Sequence, residues 1–219
     1  MLQKLIIGFL LTPGYSPADI IGLDAVLAIH PRNQVFYVAE TDSIVYGNYR
    51  FGIQPNATFQ DCPPLDILVI GGMAPEEMNN PKVVEFMTRK SQEAKHVIAV
   101  SNGVLALYKA GVLTQQMVTA DRHTLQLLES STLTLKNEGT CMVDGKFITG
   151  GPSTGGIEAA FTAVDKTRGK WITQMLEFNL EYDAHVQYPV AKDTVLKAPH
   201  CLSRLKLECF WVMEFTSPT

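Results

Sequence analysis

Residues 97–113 read VIAVSNGVLALYKAGVL and predict a buried strand that turns sharply into a short helix. The run 97–100 is apolar throughout, and its valines and isoleucine favour an extended strand. The run 103–110 suits a helix, and Gly111 is a usual helix stop. Ser101 and Asn102 stand at the turn between these elements. Parallel α/β sheets are built from such strand–turn–helix units.

The same alternation continues along the chain. Apolar runs bounded by turn residues predict further buried strands at 5–11, 35–39, 67–70 and 147–149. Helical patterns occupy 17–29, 81–94, 153–168 and 173–179, with Ser16 and Asn80 placed to cap the first two. Together they predict an α/β fold, a mostly parallel sheet covered by helices on both faces. Segments 44–60 and 130–146, the latter with an Asp144-Gly145 hairpin signal, are expected to add short antiparallel strands at the sheet edge.

The 219 residues suit one domain, which we place at 1–188, followed by an extension at 189–219. The apolar stretch 207–215 in that extension is compatible with an extra helix, a dimer contact or a poorly ordered end. The net charge of −4 gives no electrostatic basis for binding nucleic acid. No stretch reaches the roughly 20 apolar residues that span a bilayer, and the apolar start lacks a cleavage pattern. We therefore expect a cytoplasmic protein with no membrane partner.

The cysteines show no metal-binding pattern. Cys62, Cys141, Cys201 and Cys209 have neither a CxxC motif nor another ligand spacing. In a cytoplasmic chain of this size, they are expected to be free and mostly buried thiols.

Three turns follow predicted strands, at 70–73, 101–103 and 149–153. In open parallel sheets, ligands bind outside the carboxyl ends of the strands. Glycines let a ligand approach the backbone there, and backbone N–H groups can hold a developing negative charge. The residues that we expect to contact a substrate are Gly71, Gly72, Asn102, Thr119 and Gly151.

Ser101 has two interpretations. The segment 99–103 resembles the nucleophile elbow G-x-S-x-G with alanine at the first glycine, which would expose Ser101 Oγ above the sheet. The local sequence favours the simpler interpretation, in which Ser101 caps the following helix. A serine nucleophile also needs a base. His123 is the nearest histidine in sequence, but it lies inside a predicted helix, so a Ser–His–Asp triad is only a hypothesis.

Two aspartates are candidates for acid/base chemistry. Asp19 stands in the first turn of a predicted helix, where the helix dipole alone would favour a carboxylate. Alternatively it faces the same crevice as Ser101, and Asp121 is near enough in sequence to share that crevice. Two carboxyl groups in one partly dry pocket would have their pKa values driven apart, so that one donates a proton while the other accepts.

These residues recur in an order that resembles the ThiJ/PfpI superfamily, and within it the isocyanide hydratase subgroup. The resemblance runs from about residue 5 to 188. The supporting strings are GYSPADIIG at 14–22, PLDILVIGG at 64–72, VSNGVLALYKAGVL at 100–113, ITGGPSTGGI at 148–157 and LEYD at 180–183. Each string is modest alone, but their order and spacing together are specific.

The resemblance implies a flavodoxin-like (class I glutamine amidotransferase-like) sandwich. It further implies a homodimer with the active site near the subunit interface, a small-molecule substrate, and neither a metal nor an organic cofactor. In the hydratases, a cysteine at the elbow attacks the substrate and an aspartate of the first helix is the acid/base. Asp19 matches that aspartate.

The chain departs from the family pattern at the elbow. Ser101 stands at the position of the family's cysteine, Asp121 at the position of a frequent histidine, and Ala74 at that of a common glycine. A thiol is partly ionised near neutral pH, whereas a serine hydroxyl is a poor nucleophile without a base. These departures argue against thiol-dependent chemistry, including isocyanide hydration through a thioimidate and repair of glyoxal adducts.

Three functions follow, in order of preference. The first is an acid/base enzyme of the hydratase, lyase, isomerase or cyclase type that acts on a small activated organic molecule. Asp19 would be its main acid/base, Ser101 a hydrogen-bond donor or weak nucleophile, and the Gly72 and Asn102 amides an anion-stabilising pair. The second is a small-molecule binding or regulatory protein without catalysis, and the third is a serine hydrolase.

Overall fold

The apolar runs of the sequence form the strands of one central sheet. The computed structural model describes residues 4–136 and 140–182. In these ranges the strands are β1 (Leu5–Leu10), β2 (Asn33–Ala39), β3 (Val45–Tyr46), β4 (Gly52–Ile53), β5 (Ala57–Thr58), β6 (Ile67–Ile70), β7 (His96–Val100), β8 (Met117–Val118), β9 (Thr134–Leu135), β10 (Cys141–Asp144) and β11 (Phe147–Gly150). The helices are α1 (Pro17–Leu27), α2 (Pro81–Glu93), α3 (Gly103–Lys109), α4 (Arg122–Leu127), α5 (Thr154–Arg168) and α6 (Lys170–Asn179).

The central sheet has seven strands in the order β10-β11-β7-β6-β1-β2-β5. Its neighbouring strands are parallel, except that the edge strand β10 runs antiparallel to β11. The predicted mostly parallel sheet is therefore confirmed. The hairpin expected at Asp144-Gly145 is also confirmed, because Asp144 pairs with Phe147 across that turn.

Successive residues of the central strands point to opposite faces, and each face packs on its own helices. Ile67 and Val69 lie in the cluster with α1, α5 and α6. Leu68 and Ile70 lie in the cluster with α2, α3 and α4. β6 is apolar at every position because both of its faces are buried.

Two of the expected edge additions are arranged differently. β3 and β4 form an antiparallel pair outside the central sheet, and β9 pairs in parallel with β8. The edge of β2 is taken by β5. The β3–β4 pair is instead joined to the loop after β1, since Gly14 N donates to Tyr46 O at 2.9 Å and Asn48 N to Tyr15 O at 2.8 Å.

The two expected helix caps differ in outcome. Asn80 caps α2, since its side chain accepts a hydrogen bond from Lys82 N at 3.1 Å. The expectation for Ser16 is wrong, because its side chain makes no capping bond to α1. Its backbone N–H donates to Gly72 O at 2.9 Å, so Ser16 joins the loop before α1 to the loop after β6.

The chain reverses its direction of travel across the sheet beside β1. From β1 it crosses to β2 on one side, and β6 later adds on the other side. Open parallel sheets bind ligands in the crevice at such a switch point. The first turn of α1, which carries Asp19, and the loop after β6, which carries Gly72, flank it.

Several expectations concern groups away from this crevice. Cys62 and Cys141 are free thiols, and burial raises the pKa of both, that of Cys141 to about 11. Cys201, Cys209 and the extension 189–219 lie outside the described residues. Across residues 4–136 and 140–182, no helix has the length and apolar character needed to cross a membrane.

Candidate active site

Ser101 lies at a backbone elbow between β7 and α3. Its φ is +54°, a conformation that a residue with a side chain adopts only when the surrounding structure holds it there. A side-chain carbon on Gly103 would lie 2.7 Å from Ile70 O and 2.8 Å from Gly71 O, so only glycine fits at that position. The residue preceding α3 is Asn102, not Ser101. The expectation that Ser101 caps the helix is therefore wrong, and the elbow interpretation describes the backbone.

The Asn102 side chain locks the elbow to the neighbouring loop. Its Oδ1 accepts from Met73 N at 2.8 Å, and its Nδ2 donates to Met73 O at 2.9 Å. Both polar ends of the amide are thus used within the protein. Asn102 fixes the position of the elbow relative to the loop after β6.

Asp121 is the partner of the Ser101 hydroxyl. Ser101 Oγ donates to Asp121 Oδ2 over a long 3.4 Å. Asp121 also caps α4, where its Oδ1 accepts from Thr124 N at 2.9 Å and its Oδ2 from Thr124 Oγ1 at 2.6 Å. These two bonds from the buried Thr124 hold the carboxylate beside Ser101.

Asp19 is fully buried and accepts two backbone hydrogen bonds. Gly72 N donates to its Oδ2 at 3.0 Å, and Ser153 N donates to its Oδ1 at 2.8 Å. Ser153 has a φ of +50°, so a second strained residue contributes to the same site. Strained backbone of this kind is concentrated at functional sites, because the surrounding structure must compensate for its cost.

Both carboxylates lie near the hydroxyl of Ser101. A side-chain carbon on Gly72 would lie 3.0 Å from Asp19 Oδ2 and 3.4 Å from Ser101 Oγ, so both atoms border the same point. Asp121 contacts Ser101 Oγ directly. The structure therefore brings together the three residues that the sequence suggested for catalysis, Asp19, Ser101 and Asp121.

The residues expected to contact a substrate are used mainly inside the protein. Gly71 packs against Asp19, and Gly72 N–H is occupied by Asp19. Thr119 N donates to Thr149 Oγ1 at 3.0 Å, and Gly151 N donates to Thr140 O at 3.2 Å. The expected anion-stabilising role of the Gly72 amide needs correction, because that donor already serves the Asp19 carboxylate.

Three other residues complete the description of the site. His123 is exposed on α4, whereas the hydrogen-bond partner of Ser101 Oγ is Asp121. Sequence reasoning missed the roles of Thr124 and Ser153. The position of Thr124, three residues after a helix-capping aspartate, is a usable signal for the first role. The Ser153 N–H contact is formed across 134 positions of sequence and has no local signal.

Within the described residues, no side-chain cation is paired with either aspartate of the site. The ion pairs there join Lys82 to Glu40, Lys90 to Glu93 and Lys95 to Asp66, so none of them involves Asp19 or Asp121.

Known proteins resemble this chain in sequence and fold. An isonitrile hydratase from Pseudomonas putida is 32% identical over 179 residues, which cover 80% of this chain and 78% of that protein. A ThiJ/PfpI family protein from Pseudomonas syringae superposes with a TM-score of 0.76 at 21% identity, covering 98% of this chain and 92% of that one. Drosophila melanogaster DJ-1beta superposes with a TM-score of 0.74 at 18% identity, covering 82% and 98%. These structures confirm the flavodoxin-like α/β sandwich.

A match to a family model covers the residues of the candidate site. The model of the DJ-1/PfpI family matches residues 7–166. That range contains the elbow, Asp19 and Asp121, together with the strands that position them. The chain therefore belongs to the DJ-1/PfpI family.

Proposed function

We propose that this protein is an acid/base enzyme of the hydratase, lyase, isomerase or cyclase type, acting on a small activated organic molecule. One observation carries the proposal. The hydroxyl of Ser101, held at a strained elbow, bonds to the carboxylate of Asp121 and borders the same point beside Gly72 as the carboxylate of Asp19. Paired carboxyl groups around one polar atom are suited to moving protons at neighbouring positions of a bound molecule.

Each of the three groups has a proposed role. Ser101 Oγ can donate to one partner while accepting from another, so it orients the polar atom of the substrate. One carboxylate takes a proton from the substrate or from a water molecule, and the resulting carboxyl group returns that proton to a second atom. Asp19 keeps the acid/base role expected from the sequence, with Asp121 as the second carboxyl group.

The substrate is proposed to be neutral or cationic, because two carboxyl groups and no paired side-chain cation of the described residues lie near Ser101. The P. putida relative is an isonitrile hydratase by name, which supports addition of water to a small activated molecule. A serine at the elbow supports a route without a thiolate, since a hydroxyl remains protonated at neutral pH.

A binding protein without catalysis is the second candidate. The amides of Gly72, Thr119 and Gly151 are all hydrogen-bonded within the protein, which leaves fewer donors for a developing negative charge. A serine hydrolase ranks third, because the partner of Ser101 is a carboxylate and not an imidazole. Labelling of Ser101 by a fluorophosphonate probe would support that third candidate.

A homodimer is also proposed, as the family resemblance implies. Large apolar side chains are exposed on α1 and in the segment between β3 and β4: Ile21 is 47%, Tyr49 99% and Phe51 46% exposed. We expect a second copy to cover them. Light scattering after size exclusion should give a dimer for the protein and a monomer for Tyr49→Asp. A monomeric wild-type protein would contradict this proposal. The cytoplasmic location stays a prediction.

The function is tested by coupling ligand discovery to turnover. Small neutral and cationic molecules, including an alkyl isocyanide, are screened for thermal stabilisation, and each hit is then followed by mass spectrometry for consumption. For a consumed hit, Asp19→Asn and Ser101→Ala should each lower kcat/KM by roughly 10²- to 10⁴-fold. Asp42→Asn changes an exposed aspartate and should leave the rate unchanged.

Two results would count against the enzyme. If Asp19→Asn turns over the hit at the wild-type rate, the proposed acid/base role is wrong. If every stabilising molecule is recovered intact after long incubation, the protein is a binding module, and the second candidate replaces the first.

A further inference from the structure

A cavity opens at the carboxyl ends of β1 and β2. Its volume is about 430 Å³, within the range of small-molecule sites. Thr12 and Pro13 line it from the loop after β1, and Glu40 lines it from the end of β2. Neither Ser101 nor the two aspartates around it line this cavity, so it is separate from the candidate active site.

The walls of the cavity are mainly apolar, with the hydroxyl of Thr12 among the polar groups that line it. Leu11, Val45 and Phe59 supply apolar walls. Thr12, which is only 2% exposed, contributes its hydroxyl to this lining. A hydroxyl can both donate and accept a hydrogen bond, so it offers a polar contact to a molecule in an otherwise apolar cavity.

Carboxylates and exposed apolar side chains surround the cavity. Glu40 is paired with Lys82, whereas within residues 4–136 and 140–182 the Glu77 carboxylate accepts a hydrogen bond from the neutral Asn80 amide and forms no ion pair. Ile44 and Tyr46 also line the cavity, although they are 49% and 58% exposed. The net negative charge around an apolar cavity is complementary to a molecule with an apolar body and a cationic group.

We propose that this cavity binds a small apolar amine, whose ammonium group donates to Thr12 Oγ1 and lies near the carboxylate of Glu77. The apolar body of the amine contacts Phe59, Val45 and Tyr46. This site does not depend on the proposed acid/base reaction, and its occupant is distinct from the substrate bound at Ser101.

The test compares three probes of equal size and different charge: benzylamine, benzyl alcohol and benzoate. Each is titrated into the full chain while backbone amide shifts are recorded. We expect benzylamine to bind with a Kd of about 1 mM, as suits a fragment of this size, and to shift amides lining the cavity. Benzyl alcohol should bind several-fold more weakly, and benzoate should show no saturable binding.

Two variants and one control locate the binding site. Thr12→Val removes the hydroxyl at nearly constant volume and should weaken benzylamine binding at least fivefold. Ser43→Trp places a bulky side chain on a residue that lines the cavity and should abolish binding. Ser130→Trp makes the same change at an exposed position that does not line the cavity and should leave binding unchanged.

The proposal is overturned if benzoate binds as tightly as benzylamine, or if benzylamine shifts no amide lining the cavity. It is also overturned if neither Thr12→Val nor Ser43→Trp weakens binding. Circular dichroism of each variant establishes that it is folded. Should Ser43→Trp fail to fold, Thr12→Val and the positions of the shifted amides decide the outcome.

Discussion

The protein buries carboxyl groups in two ways, at Asp19 beside Ser101 and at the Glu158–Glu177 pair between α5 and α6. Each oxygen of Asp19 accepts a backbone N–H. Glu177 is 2% exposed, and within the described residues neither of its carboxyl oxygens has a hydrogen-bond partner. Burial, followed by repulsion from Glu158, raises the pKa of Glu177 to about 7. The difference teaches that backbone donors allow an interior carboxylate, whereas burial without donors favours the protonated acid.

The largest expected effect on the free energy of unfolding is that of Glu177→Gln, which removes a carboxyl group that titrates. Because its pKa is raised from 4.5 to about 7, the folded protein binds the proton more tightly than the unfolded chain. The contribution of Glu177 to stability should therefore be fully present below about pH 4.5 and be lost as the pH rises to about 7. Glu177→Gln removes this dependence and should stabilise the protein at pH 8 by up to about 3 kcal/mol.

Urea unfolding between pH 5 and 8 measures this effect. Glu85→Gln is the matched control, because Glu85 is an exposed glutamate on α2. If Glu177→Gln lost stability with rising pH as steeply as the wild type does, the titration would have to be assigned to another group.

The next effect, about 2 kcal/mol, is expected for Asp19→Asn. The amide places an NH₂ group opposite either Gly72 N–H or Ser153 N–H, so one buried donor loses its acceptor. Urea unfolding should show the loss, with Asp42→Asn unchanged. Equal stability of the two variants would mean that the backbone donors do not hold Asp19 as the comparison requires.

The smallest effect, about 0.5 kcal/mol, is expected for Ser101→Gly. Glycine adopts a φ of +54° without strain, although it loses the long bond to Asp121 and gains freedom in the unfolded chain. The variant should therefore be slightly more stable and inactive, as is common where a strained residue serves function. A loss of more than about 1 kcal/mol on thermal unfolding would show that Ser101 contributes to stability.

Local patterns in the sequence predict the elements, while tertiary contacts decide the site. β6 falls at the predicted 67–70, and the Asp144-Gly145 turn closes the predicted hairpin, because both depend on neighbouring residues. The conformation of Ser101 does not follow from its neighbours. Local preference favours a helix cap, but Gly103 packs against the Ile70 and Gly71 carbonyls and holds the elbow in place.

The hydrogen bonds of the site also depend on tertiary contacts, which local sequence patterns do not predict. The sequence indicates Asp19, Ser101 and Asp121 because each lies beside the end of a predicted element. It does not indicate that the Gly72 amide donates to Asp19, since that contact joins residues 53 positions apart. The Glu158–Glu177 pair was missed for a similar reason, because it forms only when α6 packs against α5.

The hydrogen bond from Ser153 to Asp19 joins residues 134 positions apart. The segments after β1, β6, β7 and β11 must all be in place before the site exists, so no fragment that lacks one of them can form it. Activity would consequently report that folding is complete. Faster hydrogen exchange of the Ser153 amide would report that the site has opened. A newly made chain acquires the site only after its last central strand has joined the sheet.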